Sequence, residues 1–135
     1  EFRRVLFRSK NDEILINEIA PRVHNSGHHT LKSSKTSQFE QHLRAILGLE
    51  LGDTTIIHPT IMYNILGPKG FSGKYKPVTT SEQNVFLKMY GKEESKPKRK
   101  LGHFNVVSTK SQNIDQLLER INILKNQITI VPENS

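Results

Sequence analysis

EILINEIAPRVHNSGHH, residues 13–29, is the stretch on which the fold turns. Its first half alternates apolar and polar residues around Ile14, Ile16 and Ile19, which predicts a strand from Glu13 to Ala20. Pro21 cannot donate to a ladder and stops it. The segment from Pro21 to Ser34 includes Pro, Gly, Asn, Ser and three His, the composition of a loop. Period-two alternation puts Asn17 and Ile19 on one face of the strand and Glu18 on the other. A strand that ends in Asn17 and Glu18 and runs into Arg22, His24, Asn25 and Ser26 gathers several polar groups at one sheet end.

Outward from this stretch the pattern changes period. Thr36 or Ser37 caps a helix that carries Phe39, Leu43, Ile46 and Leu47 on one face, and Gly48 and Gly52 end it. That stripe predicts a core-packing helix, with no catalytic part for His42. Thr55 to Leu66 is β-branched and apolar, broken by Pro59. Residues 67–81 are turn-rich. Asn84–Tyr90 and Leu101–Val107 read as strands on either side of a charged loop. Ser111 or Asn113 opens a last helix, with Ile114, Leu117, Leu118, Ile121 and Leu124 turned inward. Thr129–Val131 closes with a short strand. The expectation is an α+β chain with a boundary between residues 54 and 55 and a mostly β second part under a covering helix.

Composition narrows the chemistry. The 135 residues carry 20 Lys plus Arg against 13 Asp plus Glu, a formal +7, which suits an anionic partner. No cysteine is present, so disulfides, thiol catalysis and thiolate zinc sites are excluded. His24, His28 and His29 stand four and one apart in a loop, without the spacing of a helical zinc motif. No apolar run reaches the roughly 20 residues of a membrane helix, and no signal peptide is visible, so the expected location is cytoplasmic. Residues 1–9, EFRRVLFRS, read like a translated sequencing adapter. They are expected to have no fixed place in the fold; without their three arginines and one glutamate the charge is +5.

Two segments carry candidate chemistry. Glu18 and Asn17 offer hard oxygen ligands suited to Mg²⁺ with phosphate. Arg22 offers a planar fork, and His24, Asn25 and Ser26 add neutral donors for a small oxyanion. The alternative is an ordinary polar turn. The second segment is KEESKPKRK, residues 92–100, with five basic and two acidic residues. It reads either as a phosphate clamp or as a solvated hairpin tip. A small basic nucleic-acid-binding module is the competing reading, supported by the charge and opposed by the absence of Trp and of any nucleic-acid signature.

INEIAPRVHNSGHHT followed by TSQFEQHLRAILGL resembles the C-terminal part of the 5-(carboxyamino)imidazole ribonucleotide synthase family, ATP-grasp enzymes of purine biosynthesis. The likeness continues through HPTIMYNILG, MYGKEESKPKRKLGH and FNVV, and so covers Lys10 to about Val107 in order. The resemblance implies the end of an ATP-grasp domain over residues 10–54 and a small β-rich domain over 55–135. It implies ATP and Mg²⁺ as cofactors, and 5-aminoimidazole ribonucleotide and bicarbonate as substrates, joined through carboxyphosphate. It also implies a homodimer in the full-length parent, with no nucleic acid and no membrane as partner. Residue by residue, Glu18 matches a Mg²⁺-binding glutamate, with Asn17 beside it in the ATP–metal site. Arg22, His24, Asn25 and Ser26 match the loop that holds bicarbonate or carboxyphosphate. Lys92, Arg99 and Lys100 match the basic loop that grips the ribonucleotide phosphate. One departure stands out: the family's other metal glutamate would fall at position 6, which is Leu6. The chain is therefore expected to be a piece of the enzyme and inactive alone.

Overall fold

A computed structural model describes residues 4–10, 13–109 and 112–133. The chain divides into two units, residues 1–57 and 58–135, where the sequence reading put the boundary at 54/55.

The first unit opens with a hairpin of β1 (Arg4–Lys10) and β2 (Glu13–Ala20), paired antiparallel. The expectation that residues 1–9 have no place in the fold is corrected for residues 4–9. Val5, Leu6 and Phe7 are good strand formers, and β2 needs a backbone partner along its edge. Residues 1–3 lie outside the described residues. The register jumps from Leu6↔Glu18 to Phe7↔Ile16, so Asn17 sits in a bulge, where simple alternation breaks.

After Pro21 the expected loop is more ordered than its composition suggests. It holds a 3-10 turn (Asn25–Gly27) and a single helical turn, α1 (Thr30–Ser33). Then α2 (Gln38–Ile46) starts on Ser37, whose Oγ accepts from Glu40 N–H. It ends in a Schellman motif: Gly48 takes φ +66°, and Leu49 N–H donates to Arg44 carbonyl at 2.8 Å.

The packing of α2 bears out its apolar stripe only at Phe39, which is half-buried with its ring centroid 5.1 Å from that of His28; the rest of the stripe faces out. Leu43, Ile46 and Leu47 are 55%, 61% and 66% exposed. The inward row is Gln38, Gln41, His42 and Ala45, one face at helical spacing. Gln41 bonds both ways with Gly52: Nε2–H to its carbonyl at 2.7 Å, and Oε1 from its N–H at 2.9 Å. Hydrogen bonds to irregular backbone favour this side of α2, because buried backbone polar groups need partners.

The second unit is α+β. A sheet of order β3-β7-β5 joins Thr60–Leu66, Lys100–Val107 and Val85–Met89. A second sheet, β6-β4-β8, joins Glu94–Ser95, Gly73–Val78 and Thr129–Pro132. Strand β4 was read as turn; Gly73 and Pro77 hide it, and its partner β8 lies far along the chain. Helix α3 (Ile114–Gln127) packs on β3 and β7. Of the two candidate starts, Asn113 caps it, in a reciprocal box with Gln116. The core is Ile65, Phe104, Val106, Leu117, Ile121, Leu124 and Ile128. Ile114 and Leu118, expected inside, are exposed. They flank the narrow strip that one flat sheet can cover.

Candidate functional site

The 3-10 turn after β2 organises the candidate loop. His24 is its cap: Nδ1 accepts from Ser26 N–H at 3.3 Å and lies 3.0 Å from Ser26 Oγ. A backbone N–H can only donate, so Nδ1 is the lone-pair nitrogen and Nε2 bears the proton. Nε2 stands 3.3 Å from Glu18 Oε1, so the imidazole donates to the carboxylate. Glu18, His24 and Ser26 thus form one connected line. Asn25 lies in the 3-10 turn between them. Arg22 is exposed; its Nη1 donates to Val23 carbonyl at 3.1 Å, leaving most of the fork open. The side chain of Asn17 lies outside the described residues.

Sequence reasoning missed Gln38. It is 5% exposed. Its Oε1 accepts from His24 N–H at 3.1 Å, and its Nε2 donates to His24 carbonyl at 2.8 Å and sits 2.8 Å from His28 Nδ1. A polar residue at the first position of a helix gives no sequence signal of burial. An open cavity of about 400 Å³ in the same unit touches Gln38, Gln41, Leu51 and Ile56 but none of the predicted site residues.

Glu18 is a half-exposed carboxylate with a hard anionic oxygen beyond the one that His24 contacts. That chemistry fits one ligand of an oxygen-bound cation such as Mg²⁺. Among the described residues no three His, Cys, Asp or Glu side chains converge to hold a metal. Any such ion would take its remaining ligands from elsewhere, phosphate oxygens among them.

The basic loop between β5 and β7 belongs to the second unit. Lys92 and Lys100 are exposed, and Arg99 is half-buried. Arg99 Nη1 donates to Glu94 carbonyl at 3.0 Å, and its backbone carbonyl accepts from Gly67 N–H at 2.8 Å. Gly67 has no room for a Cβ, which would lie 2.1 Å from Lys96 carbonyl. Lys98, at φ +63°, donates its N–H to Gly67 carbonyl at 2.9 Å. The loop is therefore tied at several backbone points, unlike a freely solvated hairpin tip.

His103, on β7, is 2% exposed and its Nδ1 lies 2.9 Å from Tyr90 Oη. Burial, and then the Lys88 charge, hold its pKa below the ordinary 6.5. The unfolded chain thus binds a proton that the folded chain resists. Stability is full above the ordinary histidine value and falls as pH drops below it. Urea unfolding between about pH 7 and about pH 5 is expected to show this slope, and His103→Gln to flatten it. An unchanged slope in the variant would place the proton uptake on another group.

A family model for the ATP-grasp domain matches residues 5–39, and one for the phosphoribosylaminoimidazole carboxylase C-terminal domain matches residues 60–117. N5-carboxyaminoimidazole ribonucleotide synthase of Saccharolobus solfataricus is 46% identical over 111 residues, covering 82% of this chain and 29% of that protein. The chain belongs to the N5-carboxyaminoimidazole ribonucleotide synthase family. The crystal structure of the Thermotoga maritima synthetase superposes with a TM-score of 0.82 at 44% identity, over 93% of this chain and 35% of that one. An Aspergillus clavatus synthase in complex with ADP and 5-aminoimidazole ribonucleotide superposes at 0.65 with 33% identity, over 86% of this chain and 32% of that one. The chain thus spans about a third or less of the synthases it matches. Across it, the end of an ATP-grasp domain is followed by the family's mostly β C-terminal domain. Among the described residues no helix is long and apolar enough to cross a membrane.

Proposed function

We propose that this segment serves an enzyme that uses ATP and bicarbonate to carboxylate 5-aminoimidazole ribonucleotide at its exocyclic amine. The observation that carries this reading is the Glu18–His24–Ser26 line at the end of β2, in a chain of the synthase family. In the reaction, a bicarbonate oxygen takes the γ-phosphoryl group of ATP and ADP departs. The resulting carboxyphosphate loses phosphate to give CO₂, and the amine nitrogen bonds to that carbon with loss of a proton.

Each residue has a part in this proposal. Glu18 would be one ligand of Mg²⁺, which when bound would offset the negative charge of the nucleotide phosphates, and Asn17 is assigned to the same ATP–metal site. Arg22, with its open fork, would hold the carboxyphosphate anion, and His24, Asn25 and Ser26 would line its place and keep water away from it. Ser26 N–H and Oγ hold the His24 ring so that Nε2–H points at an anionic neighbour. Lys92, Arg99 and Lys100 bind the ribonucleotide phosphate. The whole enzyme is proposed as a cytoplasmic homodimer.

The basic loop gives the direct test. Arg99→Ala, in an intact enzyme carrying this segment, is expected to raise the ribonucleotide KM by about 10- to 100-fold, the worth of one charge-assisted contact. Bicarbonate-dependent ATP cleavage should change less. An unchanged KM would return Arg99, Lys92 and Lys100 to the role of loop scaffold, for which the Arg99–Glu94 contact alone suffices.

A further inference from the structure

We propose that Gln38 is the positioning residue for His24, and that through His24 it sets the geometry of the carboxyphosphate loop. The inference rests on the functional reading above and deepens it.

The amide of Gln38 is oriented without ambiguity. His24 N–H can only donate, so the atom 3.1 Å away is Oε1; His24 carbonyl can only accept, so the atom 2.8 Å away is Nε2. One side chain therefore grips both backbone groups of a single residue fourteen positions earlier. The other Nε2 proton is directed at His28 Nδ1, 2.8 Å away, on the far side of the 3-10 turn. Both ends of that turn hang on one amide. The ring of His24 is then turned by Ser26, and Nε2–H arrives at Glu18.

Gln38 is itself held. It is the first residue of α2, and its N–H, one of the donors a helix start leaves unpaired, donates to Thr30 Oγ1 at 3.0 Å. Thr30 Oγ1 in turn donates to Gly27 carbonyl at 2.6 Å. Helix α2 is thus coupled to the loop through a chain of hydrogen bonds. Because the side chain is 5% exposed, no water can replace the amide without rearrangement.

The test uses an intact enzyme carrying this segment. Gln38→Glu keeps shape but, ionised, offers acceptors where His24 carbonyl and His28 Nδ1 need donors. It is expected to lower kcat for bicarbonate-dependent ATP turnover by about tenfold or more, with the ribonucleotide KM unchanged. Placed in a His24→Ala background it should lower kcat by clearly less, since the imidazole is gone and only the backbone groups that Gln38 grips remain. Equal losses in both backgrounds would make Gln38 a fold residue and overturn the proposal. If His24→Ala loses turnover while Gln38→Glu and Gln38→Met keep it, the functional reading stands and the positioning role falls. If His24→Ala keeps full turnover, both fall. Melting curves accompany each variant. Where Gln38→Glu melts early, Gln38→Met, similar in volume and uncharged, decides the matter; failure of both to fold overturns the proposal in favour of a stabilising role.

Discussion

Glu18→Gln in an intact enzyme of this family is expected to cut bicarbonate-dependent ATP turnover by about 100-fold or more, while the melting temperature stays in place. The substitution separates two properties of one side chain. A carboxamide oxygen still accepts from His24 Nε2–H, 3.3 Å from the carboxylate in the native chain, so the loop geometry persists. What disappears is the negative charge, and with it a hard ligand for a cation at the phosphates. A contact between charged groups is worth roughly 1.5–3 kcal/mol, and a dry site with developing charge magnifies it. Because Glu18 is half-exposed, folding does not depend on its charge. Glu18→Leu adds loss of the His24 partner and should be the more damaging. The measurement is steady-state ATP turnover with bicarbonate varied, alongside thermal melting. Parental turnover in Glu18→Gln would remove Glu18 from the metal site.

Phe104→Ala is expected to destabilise the second unit by about 3–5 kcal/mol, a large part of the stability of an ordinary domain. Phe104 lies in the middle of β7, the central strand of its sheet, opposite Tyr63 on β3 and Leu87 on β5. It is 0% exposed, and its ring centroid lies 5.4 Å from that of Tyr63. Flanking strands and α3 prevent the site from closing over the void, so lost transfer energy and a cavity penalty add together. Leu118→Ala, on the same covering helix but 48% exposed, should cost about 1 kcal/mol or less. Urea unfolding of both variants checks the contrast: a lower midpoint at constant m-value for Phe104→Ala, and little movement for Leu118→Ala. Similar midpoints for the two would mean that the core is not centred on Phe104.

Much of the chain was legible because local rules sufficed. Glu13–Ala20 was legible from its alternation, and Asn84–Tyr90 and Leu101–Val107 from short runs rich in strand formers between turn residues. Ser37 and Asn113 announced helix starts through short side chains that satisfy free N–H groups. The polar run from Arg22 to Ser26 marked the candidate loop because few structural roles call for that many donors after a strand end. Strand β4 was hidden because its ladder to β8 is a long-range pairing, and Gly73 and Pro77 lower local strand propensity. Gln38 was hidden because burial of an amide depends wholly on what it meets.

The sequence by itself determined the α+β class, the family, the places of most elements and the polar loop after β2, since these follow from periodicity, capping chemistry and ordered motifs along the chain. Only the tertiary structure decided that the polar row of α2 faces inward while Leu43, Ile46 and Leu47 stay exposed. It alone joined Glu18 to His24 and hung His24 on Gln38. It also singled out Leu117, Ile121 and Leu124 from the wider stripe of α3. The physical reason is common to all three. A hydrophobic period says that a face can be buried, but which face is buried depends on which partner offers the better match. Backbone groups left unpaired by an irregular loop claim an amide as firmly as a core claims a leucine.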